Sequence, residues 1–167
     1  MNLKTVTLCI ISTISSTGFC CDPSPLMKAI ENKLPCTEIN SLITNDADVN
    51  EVDMEFLRCL KPVLRYALDR GVDQESVEII KTLINAGADV NATTYNRVED
   101  ANVYGMMPLL TYAAIYSSVE IVQLLVDAGA KDRILSPTDS ITFKKTALAI
   151  AQNLGKSDVV QVLEQNR

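Results

Sequence analysis

The stretch Val77-Glu-Ile-Ile-Lys-Thr-Leu-Ile-Asn-Ala-Gly-Ala-Asp-Val-Asn91 decides the architecture, because the chain repeats it. Val119-Glu-Ile-Val-Gln-Leu-Leu-Val-Asp-Ala-Gly-Ala130 is a near copy 42 residues further on. Thr37-Glu-Ile-Asn-Ser-Leu-Ile-Thr-Asn-Asp-Ala-Asp-Val-Asn50 is a looser copy 40 residues earlier, and Asp158-Val-Val-Gln-Val-Leu163 is a truncated one. Apolar residues at Val77, Ile79, Ile80, Leu83 and Ile84 follow the helical period and define one buried face. Glu78 is expected near the helix start, where the dipole favours an anion. Gly87 and Gly129 follow these helices and can take the left-handed cap conformation without a Cβ penalty. Asp46 stands at that position in the first copy and tolerates it less well. Self-similarity at this period implies a small unit stacked on itself rather than one closed core.

Upstream of each copy lies a second helical pattern, opened by proline or a small polar residue. Ser24-Pro25-Leu26-Met27, Lys61-Pro62-Val63-Leu64, Met107-Pro108-Leu109-Leu110 and Thr146-Ala147-Leu148-Ala149 are the four openings. Proline suits a first helical turn, where its missing N–H would be unpaired anyway. Each unit therefore reads as two antiparallel helices followed by a projecting turn.

These residues resemble the ankyrin repeat, whose pattern runs Gly-x-Thr-Pro-Leu-His-x-Ala-Ala, then Gly-His-x-Glu-Ile-Val-x-Leu-Leu-Leu-x-x-Gly-Ala-Asp-Val-Asn. Glu78-Ile-Ile with Gly87-Ala-Asp-Val-Asn91, and Glu120-Ile-Val with Gly129-Ala130, match it closely, and Gly105, Thr146 and Gly155 restore further positions. The resemblance implies an all-α solenoid of about four helix-turn-helix units with projecting fingers, capped at both ends. The units fall at about 24–56, 57–104, 105–143 and 144–167. The pattern's histidine is absent, with Met27, Leu64 or Arg65, Leu110 or Thr111, and Ala149 in its place, so the ties that it makes between loops are expected to be lost. Pro25 to Pro62 and Pro62 to Pro108 are 37 and 46 residues apart, against about 33 for the family. Residues 72–76, 91–104 and 131–144 hold the extra length, and insertions of this kind map to loops on one face, often the binding face.

Composition narrows the function. There is no histidine and no tryptophan, which removes the commonest general base and metal ligand. The net charge is −6 and no basic run exceeds Lys144-Lys145, so nucleic acid, which needs a basic stripe, is not the expected partner. Ser117-Ser118 has no base in sequence reach, and Cys20-Cys21 lacks redox-pair spacing. No catalytic residue, cofactor or metal site is expected.

Residues 1–18 read as a secretory signal, with Lys4, an apolar run from Val6 to Ile14, and Ser16-Thr17-Gly18 as a cleavage site after Gly18. The run is too short and hydroxyl-rich for a span of ~20 residues, so the mature form is expected to be exported, periplasmic or secreted, without a membrane span. Lipid attachment at Cys20 or Cys21 is the alternative, although neither is preceded by the usual small residue. Residues 19–23 form a short lead into the repeats. Cys21 and Cys59 hold equivalent positions before neighbouring first helices, ~10 Å apart by helix packing, beyond the ~7 Å reach of a disulfide, but a flexible N-terminus could close the gap, so a bridge from Cys20 or Cys21 to Cys59 is expected. Cys36 would remain a free thiol.

The resemblance places second helices on a convex back, and first helices and fingers on a concave front. All five tyrosines then fall on the front or a finger. Tyr66, Tyr112 and Tyr116 lie on first helices, and Tyr95 and Tyr104 flank the long finger. With Asp69, Ile115 and Arg133 they are the candidate contacts to an unidentified protein partner, since tyrosine offers broad amphipathic contact. Tyr66 and Tyr112 could equally fill space between helices. The acidic residues Asp46, Asp48, Glu51, Asp53 and Glu55 read as a solvated face, and Asn50 and Asn91 as turn stabilisers. The expected function is a monomeric, non-catalytic protein-binding module. An effector acting on another cell's proteins and a lipid-anchored envelope binder are the alternatives.

Overall fold

The computed structural model describes residues 23–55, 59–98, 103–134 and 145–166. The leader, Cys20, Cys21 and most of the finger at 131–144 lie outside these residues, as do the side chains of Cys59 and Tyr104. The disulfide expected from Cys20 or Cys21 to Cys59 therefore lies outside the described residues.

Four helix pairs follow one another: α1 (Pro25–Glu31) and α2 (Cys36–Thr44), α3 (Val63–Arg70) and α4 (Gln74–Asn85), α5 (Leu109–Tyr116) and α6 (Val119–Asp127), α7 (Ala147–Asn153) and α8 (Ser157–Gln165). Within each pair the helices pack on each other, and across pairs α2, α4, α6 and α8 stack in a second-helix row. In the first-helix row α1 packs on α3 and α5 on α7, whereas α3 and α5 approach less closely.

Local chemistry fixes the helix ends. Asp73 caps α4 by accepting from the Ser76 N–H at 2.7 Å, and Ser24, Ser118 and Thr146 cap α1, α6 and α7 the same way. At the C-terminus of α4, Gly87 has φ +92°, the Ala88 N–H donates to the Leu83 carbonyl and the Gly87 N–H to that of Ile84. This paired closure needs a left-handed residue. Asp46 takes the same conformation at φ +66°, as its alignment with Gly87 implies. The start of α4 at Gln74 corrects two expectations. Residues 74–76 belong to the helix rather than to a longer turn, and Glu75, not Glu78, is its first-turn acid.

The apolar faces meet in one core that runs the length of the stack. Ile39, Leu64, Ile79, Ile80, Leu83, Leu109, Leu110, Ile121, Val122 and Leu125 are almost fully buried. Burying each such side chain stabilises the fold by ~1.5–3 kcal/mol. Small Ala67, Ala113 and Ala151 sit where first helices meet their partners.

The fingers correct the all-α expectation. The first is an antiparallel hairpin of β1 (Val52–Glu55) and β2 (Cys59–Pro62), with Val52 opposite Pro62. The second pairs β3 (Thr93–Val98) with β4 (Val103–Pro108), with Thr93 opposite Pro108. Each hairpin is anchored at its base by one backbone bond, Val63 N–H to the Glu51 carbonyl and Leu109 N–H to that of Ala92. Strands β2 and β3 lie side by side without joining into one sheet. The architecture is a helical repeat stack carrying β-hairpins. Pro62 and Pro108 end strands as N-caps; only Pro25 lies inside its helix.

Candidate protein-binding face

The wider gap between α3 and α5 is filled by a polar network rather than by aliphatic packing. Asp69 is its centre. Its Oδ1 accepts from Arg65 Nε at 2.7 Å and from the Tyr112 hydroxyl at 2.8 Å. Its Oδ2 lies 3.2 Å from Lys61 Nζ. The Arg65 guanidinium stacks on the Tyr112 ring, 3.3 Å from its centroid, and donates through Nη1 to Thr94 Oγ1 in β3. Thr94 in turn donates to the Leu60 carbonyl in β2 at 2.9 Å. One arginine thus ties a first helix to both hairpins. The cross-loop ties expected to vanish with the family's histidine are partly supplied by this residue.

Tyr66 is only 4 % exposed, and its hydroxyl donates to Asp53 Oδ2 at 2.6 Å. Lys61 Nζ sits 3.8 Å from the Tyr66 ring centroid. Asp53 is therefore buried inside the first hairpin, which corrects its reading as part of a solvated face; Asp46, Asp48 and Glu51 are exposed as expected. Tyr112 is buried as well, and burial, only partly offset by Arg65, raises its hydroxyl pKa well above the usual 10.0. Both tyrosines are packing residues in this arrangement, with little surface left for a partner.

Tyr116 differs. Its ring lies 4.6 Å from that of Tyr112, tilted by 36°, and the residue is 48 % exposed. Beside it on the row, Ile115 is half-buried and Leu154 of the next unit is exposed. Lys156 donates to the Ile115 carbonyl at 2.7 Å, and burial lowers the pKa of its ammonium group. The structure thus brings Asp69, Ile115 and Tyr116 together on the first-helix row, with Tyr112 beneath them. Tyr95 is half-buried on β3. Arg133 is exposed beyond α6, away from this group, and donates to the Asn91 carbonyl at 3.2 Å.

Asn50 and Asn91 do more than hold their own turns. Asn50 Nδ2 donates to the Gly87 carbonyl and its Oδ1 accepts from the Asp89 N–H at 2.7 Å. Asn91 repeats the pattern with Gly129 and Lys131. Asp48 and Asp89 make the local Asx turns, accepting from the N–H groups of Asn50 and Asn91. At the third turn Asp132 caps α7 instead, accepting from Ala147 N–H at 2.6 Å. Sequence reasoning missed Asp53, Thr94 and Asp132, because each acts through a residue far away in the chain. The repetition of Asp-Val-Asn at 48–50 and 89–91 was the signal for the asparagine clamps.

Among the described residues no group of three acidic, cysteine or histidine side chains could hold a metal ion, and no helix is long and apolar enough to cross a membrane. Cys36 carries a free thiol, with Sγ 3.7 Å from Thr82 Oγ1. No curated protein matches the chain. The family model for ankyrin repeats matches residues 26–136 as three copies. That span, the paired helices closed by Gly87 and Gly129, and the asparagine ties between successive turns agree: the chain belongs to the ankyrin repeat family.

Proposed function

We propose that this protein is a non-catalytic binding module that captures a partner protein on the first-helix row, with Tyr116, Ile115 and Leu154 as its apolar contact patch. Ankyrin repeats in general are protein–protein interaction modules. The observation that carries the choice of surface is Tyr116, half exposed yet stacked on a tyrosine that Arg65 and Asp69 hold rigid. A pre-ordered aromatic loses little entropy on binding, which is why such residues dominate interface energetics. The helix pairs α1/α2 and α7/α8 serve as the end caps of the stack. We assign the protein to an exported compartment on the strength of residues 1–18, and a monomer is the working form.

Affinity capture from the exported fraction tests this reading. Tyr116→Ala combined with Leu154→Asp should reduce capture about ten-fold or more, an ordinary effect for an interface anchor, while the circular dichroism spectrum stays helical. Undiminished capture by the folded variant would refute the surface. Sequencing the mature N-terminus separates cleavage after Gly18 from lipidation at Cys20 or Cys21.

A further inference from the structure

The chain is acidic overall, with a net charge of −6, yet its charges are sorted by layer. The second helices α2, α4, α6 and α8 together carry seven Asp or Glu and a single basic residue, Lys81. The first helices with their flanking turns (24–34, 61–73, 108–118 and 145–156) carry seven Lys or Arg and only three acidic residues. Such a split is not needed for stacking, because most of these groups lie outside the apolar core. Two of the first-row cations, Arg65 and Arg70, are buried and neutralised by Asp69 and by Glu75. Lys28 and Lys33 are exposed, and neither makes an ion pair among the described residues. Lys61 is partly exposed in the next unit, held by Asp69 and by the face of the Tyr66 ring.

We propose that the partner segment bound on this row is acidic, with its carboxylates over Lys28, Lys33 and Lys61 and its apolar residues over Tyr116 and Leu154. The inference rests on the binding-module reading and names the chemistry of its partner. Units one and two present Lys28, Lys33 and Lys61, and unit four adds exposed Lys145; between them α5 and α7 contain no charged residue, and this stretch presents Ile115, Tyr116 and Leu154. The acidic second-helix row repels the same segment, so charge selects the face as well as the partner. A protein segment is favoured over nucleic acid because the cations are interrupted by Glu31, Asp69 and Asp73 and by the uncharged α5, whereas a phosphate backbone needs an unbroken basic track.

The test uses fluorescence anisotropy of the full mature chain with three labelled probes: a Glu-rich peptide ending in leucines, the same peptide with Lys for every Glu, and a single-stranded oligonucleotide. The acidic peptide should bind most tightly, more weakly as salt rises. Lys28→Glu with Lys33→Glu should weaken it about ten-fold at low ionic strength, while Glu78→Lys with Glu120→Lys on the opposite row leaves it within two-fold or strengthens it slightly. Both lysines are exposed, so an unchanged melting curve should certify the fold. Tighter binding of the basic peptide, tighter binding of the oligonucleotide, or indifference to the Lys28/Lys33 reversal would each overturn the proposal. If the charge reversal is silent but Tyr116→Ala still abolishes capture of the native partner, the charge assignment falls and the binding face stands. If both are silent, the face itself is wrong.

Discussion

Arg65 lies over Tyr112, with its guanidinium carbon 3.3 Å from the ring centroid, and both residues reach the same oxygen of Asp69. A cation removed from water by an aromatic face and a carboxylate is worth ~2 kcal/mol or more when desolvated. Deleting Arg65 removes this contact and the bond to Thr94, but Asp69 stays partly exposed and keeps Lys61, so no charge is stranded. Arg65→Ala is therefore expected to lower stability by ~1–2 kcal/mol, and Tyr112→Ala by ~3–5 kcal/mol. Tyr116→Ala should cost under ~1 kcal/mol, since half of that residue is already in water. Urea denaturation of the three variants checks the order.

The hydroxyl of Tyr112 has a pH signature. Burial, the largest influence, raises its pKa above the ordinary 10.0 in the folded chain. As pH climbs past 10 the unfolded chain loses this proton before the folded one does, so stability is fully present below pH 10 and falls above it. Tyr112→Phe should flatten that alkaline loss in melts between pH 8 and 11. In an ultraviolet titration of the native protein, one tyrosine should ionise well after the most exposed ones.

The asparagine clamps predict a paired result. Asn91→Ala removes a donor to Gly129 and an acceptor for Lys131, and Asn50→Ala removes the equivalent pair to Gly87 and Asp89. Each should cost ~1–2 kcal/mol in urea unfolding, the scale of two exposed hydrogen bonds. Asn91→Asp keeps only the acceptor and should fall between wild type and alanine.

Asp46 offers a gain of stability. It holds φ +66° at a position where the later units place glycine. Left-handed geometry costs an ordinary L-residue ~1–2 kcal/mol, and Asp somewhat less. Asp46→Gly should therefore raise stability by ~0.5–1 kcal/mol and the midpoint of thermal unfolding with it.

Much of the fold was legible in the sequence because helix faces and caps are local. Val77 to Asn91 contains its own period, its own stop at Gly87 and its own copy at Val119. The hairpins were not legible as strands. Val52–Glu55 is only four residues long, and Thr93–Val98 mixes polar and apolar residues without a clean alternation, so both read as loops. The proposed face was only partly legible. Counting tyrosines pointed to the first helices, but not to which rings face water. Tyr66 is buried because Asp53 reaches it from a hairpin thirteen residues earlier. Tyr112 is covered because Arg65 and Asp69 of the preceding unit close over it. Such pairings depend on how neighbouring units register, which no single repeat encodes.

The most direct measurement is site-specific photocross-linking in the native cell, with a benzophenone amino acid placed at Tyr116 on the first-helix row or at Glu78 on the second. One discrete partner adduct is expected from position 116, lost when Leu154→Asp is added, and none from position 78. An adduct from position 78 with none from 116 would contradict the proposed face.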